Sequence, residues 1–202
     1  MTGLAADPGC KEHQTGLRHP ERPERFVAAL NSLDGSPLVA IEPRVASEDE
    51  ISLCHPVQYI RLVEREVVTG FHELSTGDTI ISARSLDAAS RATGAALNAV
   101  DAVFDKKVQN AFCIVRPPGH HATPSKGMGF CIFNNIAIAA RYAQRKEYTM
   151  SRKSPWFLQC FSMTTLPPSS KILASISSEQ SGQSDWVCSG RPFCRTCMGE
   201  PV

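Results

Sequence analysis

Two adjacent histidines, His120 and His121, lie in the run Arg116-Pro117-Pro118-Gly119-His120-His121-Ala122, and Gly127-Met128-Gly129-Phe130-Cys131 follows. Imidazole titrates near neutral pH, so such a pair suits general acid–base catalysis. A bare His-His pair is more often what ordinary local hydrogen bonding in a loop produces. A second spacing with chemical content is Cys194-Arg195-Thr196-Cys197. One Cys-x-x-Cys pair can supply half of a tetrahedral metal site or exchange disulfides. Its upstream companions, Cys160 and Cys188, are irregularly spaced, so chance spacing is the better reading.

The histidines need a rigid element behind them. Ala111-Phe112-Cys113-Ile114-Val115 reads as a short buried strand. The Pro-Pro-Gly that follows breaks the ladder and sets a loop at the strand's C-terminal end. In open parallel sheets that edge is where ligands bind. Before the strand, Leu86, Ala89, Thr93, Leu97, Val100 and Phe104 predict an amphipathic helix over 85–104. After the loop, Asn134 or Asn135 caps a helix reaching about Arg145.

Earlier in the chain, Thr2 to Ala6 reads as a strand, and Cys10 to Gly16 as a polar loop. A helix opens at the prolines around Arg18–Phe26, continues through Leu30 and Leu33, and stops at Asp34-Gly35. Ser47-Glu48-Asp49-Glu50 is a capping box. His55-Pro56 interrupts, and a helix from about Val57 to Val67 follows, with Ile60, Val63 and Val67 on one face. His55 reads as a capped or surface histidine rather than a ligand. Helices alternating with buried strands predict an α/β fold with a parallel sheet.

At 202 residues and 22.0 kDa the chain can bury one real core. A net charge of +1 gives no electrostatic footprint for nucleic acid or an anionic membrane. No apolar stretch approaches the roughly 18–20 residues that span a bilayer. Met1-Thr2-Gly3-Leu4 lacks the basic and apolar regions of a secretory signal. Cys10, Cys54, Cys113 and Cys131 sit singly, as thiols of an intracellular protein do. The expectation is an intracellular protein, cytoplasmic, with the nucleus left open.

Arg116-Pro117-Pro118-Gly119-His120-His121-Ala122, then Met128-Gly129-Phe130-Cys131, then Phe133-Asn134-Asn135-Ile136-Ala137-Ile138-Ala139-Ala140-Arg141 resembles the zinc-dependent histone deacetylase family. The likeness is narrower still to the class II type and its bacterial relatives, acetylpolyamine deacetylases among them. His19-Pro20-Glu21-Arg22-Pro23-Glu24-Arg25 is a second landmark of that family. The resemblance implies a partial arginase-like deacetylase fold over residues 1–145, with a parallel sheet flanked by helices. It implies hydrolysis of the acetyl amide of acetyl-lysine in proteins or of an acetylpolyamine. His121 resembles the residue that takes the proton from water and passes it to the leaving amine. His120 would stabilise the site electrostatically, and each would be oriented by an acidic partner. Phe130 would wall the narrow acyl-lysine channel, with Gly129 allowing close approach. Arg25 would line an internal pocket behind the site. Asp78 fits the aspartate that hydrogen-bonds the substrate's backbone, with simple loop capping as the alternative. Cys131 is expected to pack rather than attack.

The resemblance stops near Gln144-Arg145. Family members continue with an Asp-x-His pair, and their zinc ligands, two aspartates and a histidine, lie beyond that point. Residues 146–202 are serine-rich, punctuated by Pro155, Pro167-Pro168, Pro192 and Pro201, and are expected to form a poorly structured tail. Zinc, the cofactor of the full-length family, is therefore not expected to bind this chain. A water not bound to metal keeps a pKa of about 15.7, which removes the nucleophile. The expectation is a truncated, inactive form, with a non-catalytic binding or decoy role as the alternative. Trp156-Phe157-Leu158 and Lys171-Ile172-Leu173-Ala174-Ser175-Ile176 are candidate neighbours for strand 111–115, but neither shows a crossover helix. The strand is thus expected to leave an unpaired edge, open to self-association or a chaperone.

Overall fold

The computed structural model describes residues 1–146 and 158–162. Four strands form one sheet: β1 (Thr2–Ala6), β2 (Leu38–Ile41), β3 (Asn110–Val115) and β4 (Leu158–Ser162). Their spatial order is β2-β1-β3-β4, and every pairing is parallel. Leu4 sits opposite both Ala40 of β2 and Phe112 of β3, which fixes the register of the centre. The helices are α1 (Pro23–Asn31), α2 (Glu48–Ile51), α3 (Val57–Val68), α4 (Ser85–Phe104) and α5 (Asn135–Arg145), with a 3-10 helix at Pro8–Glu12.

Local chemistry accounts for the helix starts. Ser47 and Glu50 exchange side-chain bonds with each other's backbone, completing the capping box of α2. Asn134 is the residue that caps α5, its Oδ1 accepting from the Ala137 N–H at 3.0 Å. Helix α4 packs on β1, β3 and α5, so it is buried on nearly all sides rather than along one stripe. Its run of alanines, Ala88 through Ala102, keeps that approach close.

Strand order turns around between β1 and β3. From β1 the chain moves outward to β2, then returns to β1's other side to form β3. A reversal of this kind opens a crevice beyond the carboxyl ends of the two strands. The segment after β1 and the histidine loop after β3 therefore meet there.

Two expectations are corrected. The downstream edge of β3 is paired, because β4 lies beside it with Cys113 opposite Cys160. The crossover helix is α5, which stands between β3 and β4 and makes a β-α-β unit. The stretch Cys10–Gly16 is not simply a polar loop: Pro8–Glu12 is helical and His13 is fully buried. Strand β2 is an addition to the expected elements. The described residues fall within one compact unit, Met1–Pro167. Apart from Lys146 and β4, the tail expected at 146–202 lies outside the described residues, Cys194, Cys197 and the 171–176 run included.

Candidate active site

Arg116 directly follows β3 and is completely buried. Its Nε and Nη2 donate to the two carboxylate oxygens of Glu21 at 2.6 and 2.7 Å. Its Nη1 donates to the carbonyls of Cys10 and His13 at 3.0 and 2.8 Å. One guanidinium thus ties the end of β3 to the segment after β1. A buried charge is tolerated only when paired and hydrogen-bonded on this scale. Beside the pair, His13 Nε2 lies 3.6 Å from Glu21, and its Nδ1 is 2.7 Å from the Ser85 hydroxyl. Burial first, then Arg116, lowers the His13 pKa to about 3. Hydroxyl, imidazole and carboxylate resemble a hydrolytic triad, yet all three are inaccessible and Ser85 also accepts the Ser82 N–H. Their role is scaffolding.

On this base stand His120 and His121, with ring centroids 4.0 Å apart and planes inclined at 45°. Burial, and then the neighbouring His121, lowers the His120 pKa to about 4, so it is neutral at physiological pH. Its Nδ1 is buried and has no hydrogen-bond partner among the described residues. The His121 backbone N–H is held by Cys131 Sγ at 3.4 Å. A Cβ on Gly129 would lie 2.8 Å from the His121 ring, so only glycine lets the two approach this closely.

Residues 128–131 form a tight turn closed by reciprocal backbone bonds between Met128 and Cys131. Its centre, Gly129 at φ +56° and Phe130 at φ +68°, is left-handed at both positions, as in the mirror-image hairpin turns. Phenylalanine there costs on the order of 1–3 kcal/mol, which structures retain mainly at functional sites. Phe130 meets the edge of His19 at 4.7 Å. Asp78, exposed at the rim, accepts the Gly129 N–H at 2.7 Å. Burial pushes the Cys131 thiol up to about 12, so it is protonated and packs rather than attacks.

The structure thus brings together five of the predicted site residues: His120, His121, Gly129, Phe130 and Asp78. Arg25 is placed on the Glu21 side, half-buried, where its Nη1 donates to the Pro20 carbonyl at 3.1 Å. Desolvation lowers its pKa. Of the two readings of His55, capped or surface, the surface one is corrected: it is buried, with both ring nitrogens satisfied inside. Its Nε2 accepts the Asn134 N–H at 2.8 Å, which leaves Nδ1–H to donate to the Pro124 carbonyl at 2.9 Å. Arg116, Glu21 and His13 carry structural weight that the sequence did not assign them, whereas Cys131 packs as expected.

The model of the histone deacetylase domain matches residues 19–152. This chain belongs to the histone deacetylase family. A probable deacetylase of Archaeoglobus fulgidus is 34% identical over 154 residues, covering 73% of this chain and 42% of that protein. The polyamine deacetylase HDAC10 of Homo sapiens is 42% identical over 136 residues, covering 63% of this chain and 20% of that protein. The crystal structure of the HDA15 HD domain superposes with a TM-score of 0.66 at 30% identity, covering 72% of this chain and 44% of that one. The chain therefore spans less than half the length of these relatives.

Deacetylases of this family depend on zinc. A catalytic zinc takes three protein ligands. Among the described residues, no three His, Cys, Asp or Glu side chains converge where a metal ion could be held. The described half of the site does not fit a zinc centre.

Proposed function

We propose that this chain carries the acid–base and channel-wall half of a class II-type deacetylase site, and that as a 202-residue chain it does not turn over substrate. The substrate class is an acetylated primary amine, either acetyl-lysine in a protein or an acetylpolyamine. In this reading His121 exchanges the proton of the reaction, while neutral His120 packs against its ring and sets its electrostatic environment. Phe130 walls the channel for the apolar stem. The observation that carries the reading is the contact of the His121 ring with Gly129 in the strained turn that presents Phe130.

Loss of turnover is supported by the family match, which ends at 152 while the chain continues to 202. That same observation favours a second reading, a truncated isoform acting as a binding or decoy form of a longer deacetylase. Such a form would be intracellular, in cytoplasm or nucleus.

The test is turnover of an acetyl-lysine reporter by purified chain, with zinc content measured by atomic absorption. The expected result is no turnover above background and substoichiometric zinc. Stoichiometric zinc with hydroxamate-sensitive turnover overturns it.

A further inference from the structure

The turn that presents Phe130 is gripped from one side by a single short segment. Gly127 N–H donates to the Thr76 hydroxyl at 3.1 Å, and Gly129 N–H donates to the Asp78 carboxylate at 2.7 Å. The Thr79 hydroxyl donates to the Cys131 carbonyl at 3.3 Å. Residues 127, 129 and 131 are thus held at alternate positions by side chains from residues 76–79. The backbones touch as well: a Cβ on Gly77 would meet the Gly127 carbonyl oxygen at 2.2 Å. On the other side, the same turn holds His121 through Cys131 Sγ and through the bare face of Gly129.

Of the three grips, that of Asp78 is the charge-assisted one, and it falls on the first of the two left-handed residues. Bonds to an ionised acceptor are roughly twice as strong as neutral ones. They are also the kind that can hold a turn in a conformation its phenylalanine disfavours. Asp78 is exposed, so its carboxylate is available at the rim while one oxygen is committed to Gly129.

We infer that Asp78 is a positioning residue for the channel wall, acting through Gly129 on Phe130 and His121, and is therefore needed even for ligands that have no peptide backbone. This rests on the proposed reading that the site takes acetylated amines. A residue that only hydrogen-bonds a substrate's main chain would matter for an acetyl-lysine peptide and be indifferent to an N-acetylated polyamine.

The experiment compares the chain with Asp78→Ala and Asp78→Asn variants. Affinities for an acetyl-lysine peptide and for N-acetylputrescine are measured by NMR titration. Hydrogen exchange of the Gly129 amide is followed in the same samples. Expected are equal losses for both ligands in the alanine variant, about tenfold for a hydrogen bond to a charged group. The Gly129 amide should exchange at least about tenfold faster in that variant. Asparagine, which retains an acceptor oxygen but not the charge, should restore both in part. Loss of peptide affinity alone, with Gly129 exchange unchanged, overturns the inference. Should the unsubstituted chain bind neither ligand, the substrate reading fails, and the exchange rates still decide the positioning role: unchanged exchange in Asp78→Ala overturns it, and faster exchange restored in part by asparagine upholds it.

Discussion

Arg116 and Glu21 stand 95 residues apart in the chain and meet as a fully buried, two-point ion pair at 2.6 and 2.7 Å. The pair joins the two loops that flank the strand-order reversal, so the platform under His120 depends on it.

Breaking the pair on one side leaves the other charge buried and uncompensated. Glu21→Gln or Arg116→Met should each destabilise the chain by about 3–5 kcal/mol. The double variant Glu21→Gln/Arg116→Met should cost less than the sum of the two single changes, since no orphan charge remains. Urea denaturation of the three variants checks this. Additive losses in the double variant would show that the pair is not coupled.

Stability should also fall with acid through two buried, neutral histidines. Burial lowers His13 to about 3 and His55 to about 4, against 6.5 for an ordinary histidine. Below pH 6.5 the unfolded chain therefore binds protons that the folded chain refuses, and stability declines as pH drops. The contribution is whole above about pH 6.5 and is lost progressively toward pH 4, on the order of 3 kcal/mol per residue over that window. Urea midpoints at a series of pH values measure the slope. His55→Gln should reduce that slope by about one proton. An unchanged slope would mean that His55 is not neutral and buried in solution.

Phe130 should show a conflict between stability and ligand binding. Its left-handed backbone costs it roughly 1–2 kcal/mol that glycine does not incur. Phe130→Gly is therefore expected to melt no lower than the unsubstituted chain, although it loses the contact with His19. Affinity for an acetylated ligand should drop as the wall is removed. Calorimetry and NMR titration read the two effects separately. A clear loss of stability would place Phe130 in the packing rather than at a strained, functional position.

Much of the scaffold was legible because its signals are local. Helix α4, strand β3, the Ser47 capping box and the α5 start each rest on periodicity or a cap within a few residues. The parallel α/β class followed from their alternation. What escaped was set by distance. Nothing near Arg116 announces that its partner is Glu21, and nothing near His55 announces Asn134 and Pro124. Strand β2 is only four residues long and carries no clear alternation. The pairing of β3 with β4 is not legible because the motif ends with α5, and nothing local marks that helix as a crossover. Within the site, the histidine pair and Phe130 were visible as a motif. The left-handed turn was not, since Phe130 is a residue that local preference would keep out of it.

All four strands run in one direction, so the sheet has a starting edge and a finishing edge, separated by about 17 Å for a five-residue strand. The histidine loop occupies the finishing edge. Lys107, exposed in the turn that leads into β3, occupies the other. A fluorophore or a surface tether attached there would hold the molecule by its back. The histidines and Phe130 would then lie at the sheet edge away from the tether, oriented alike on every immobilised copy.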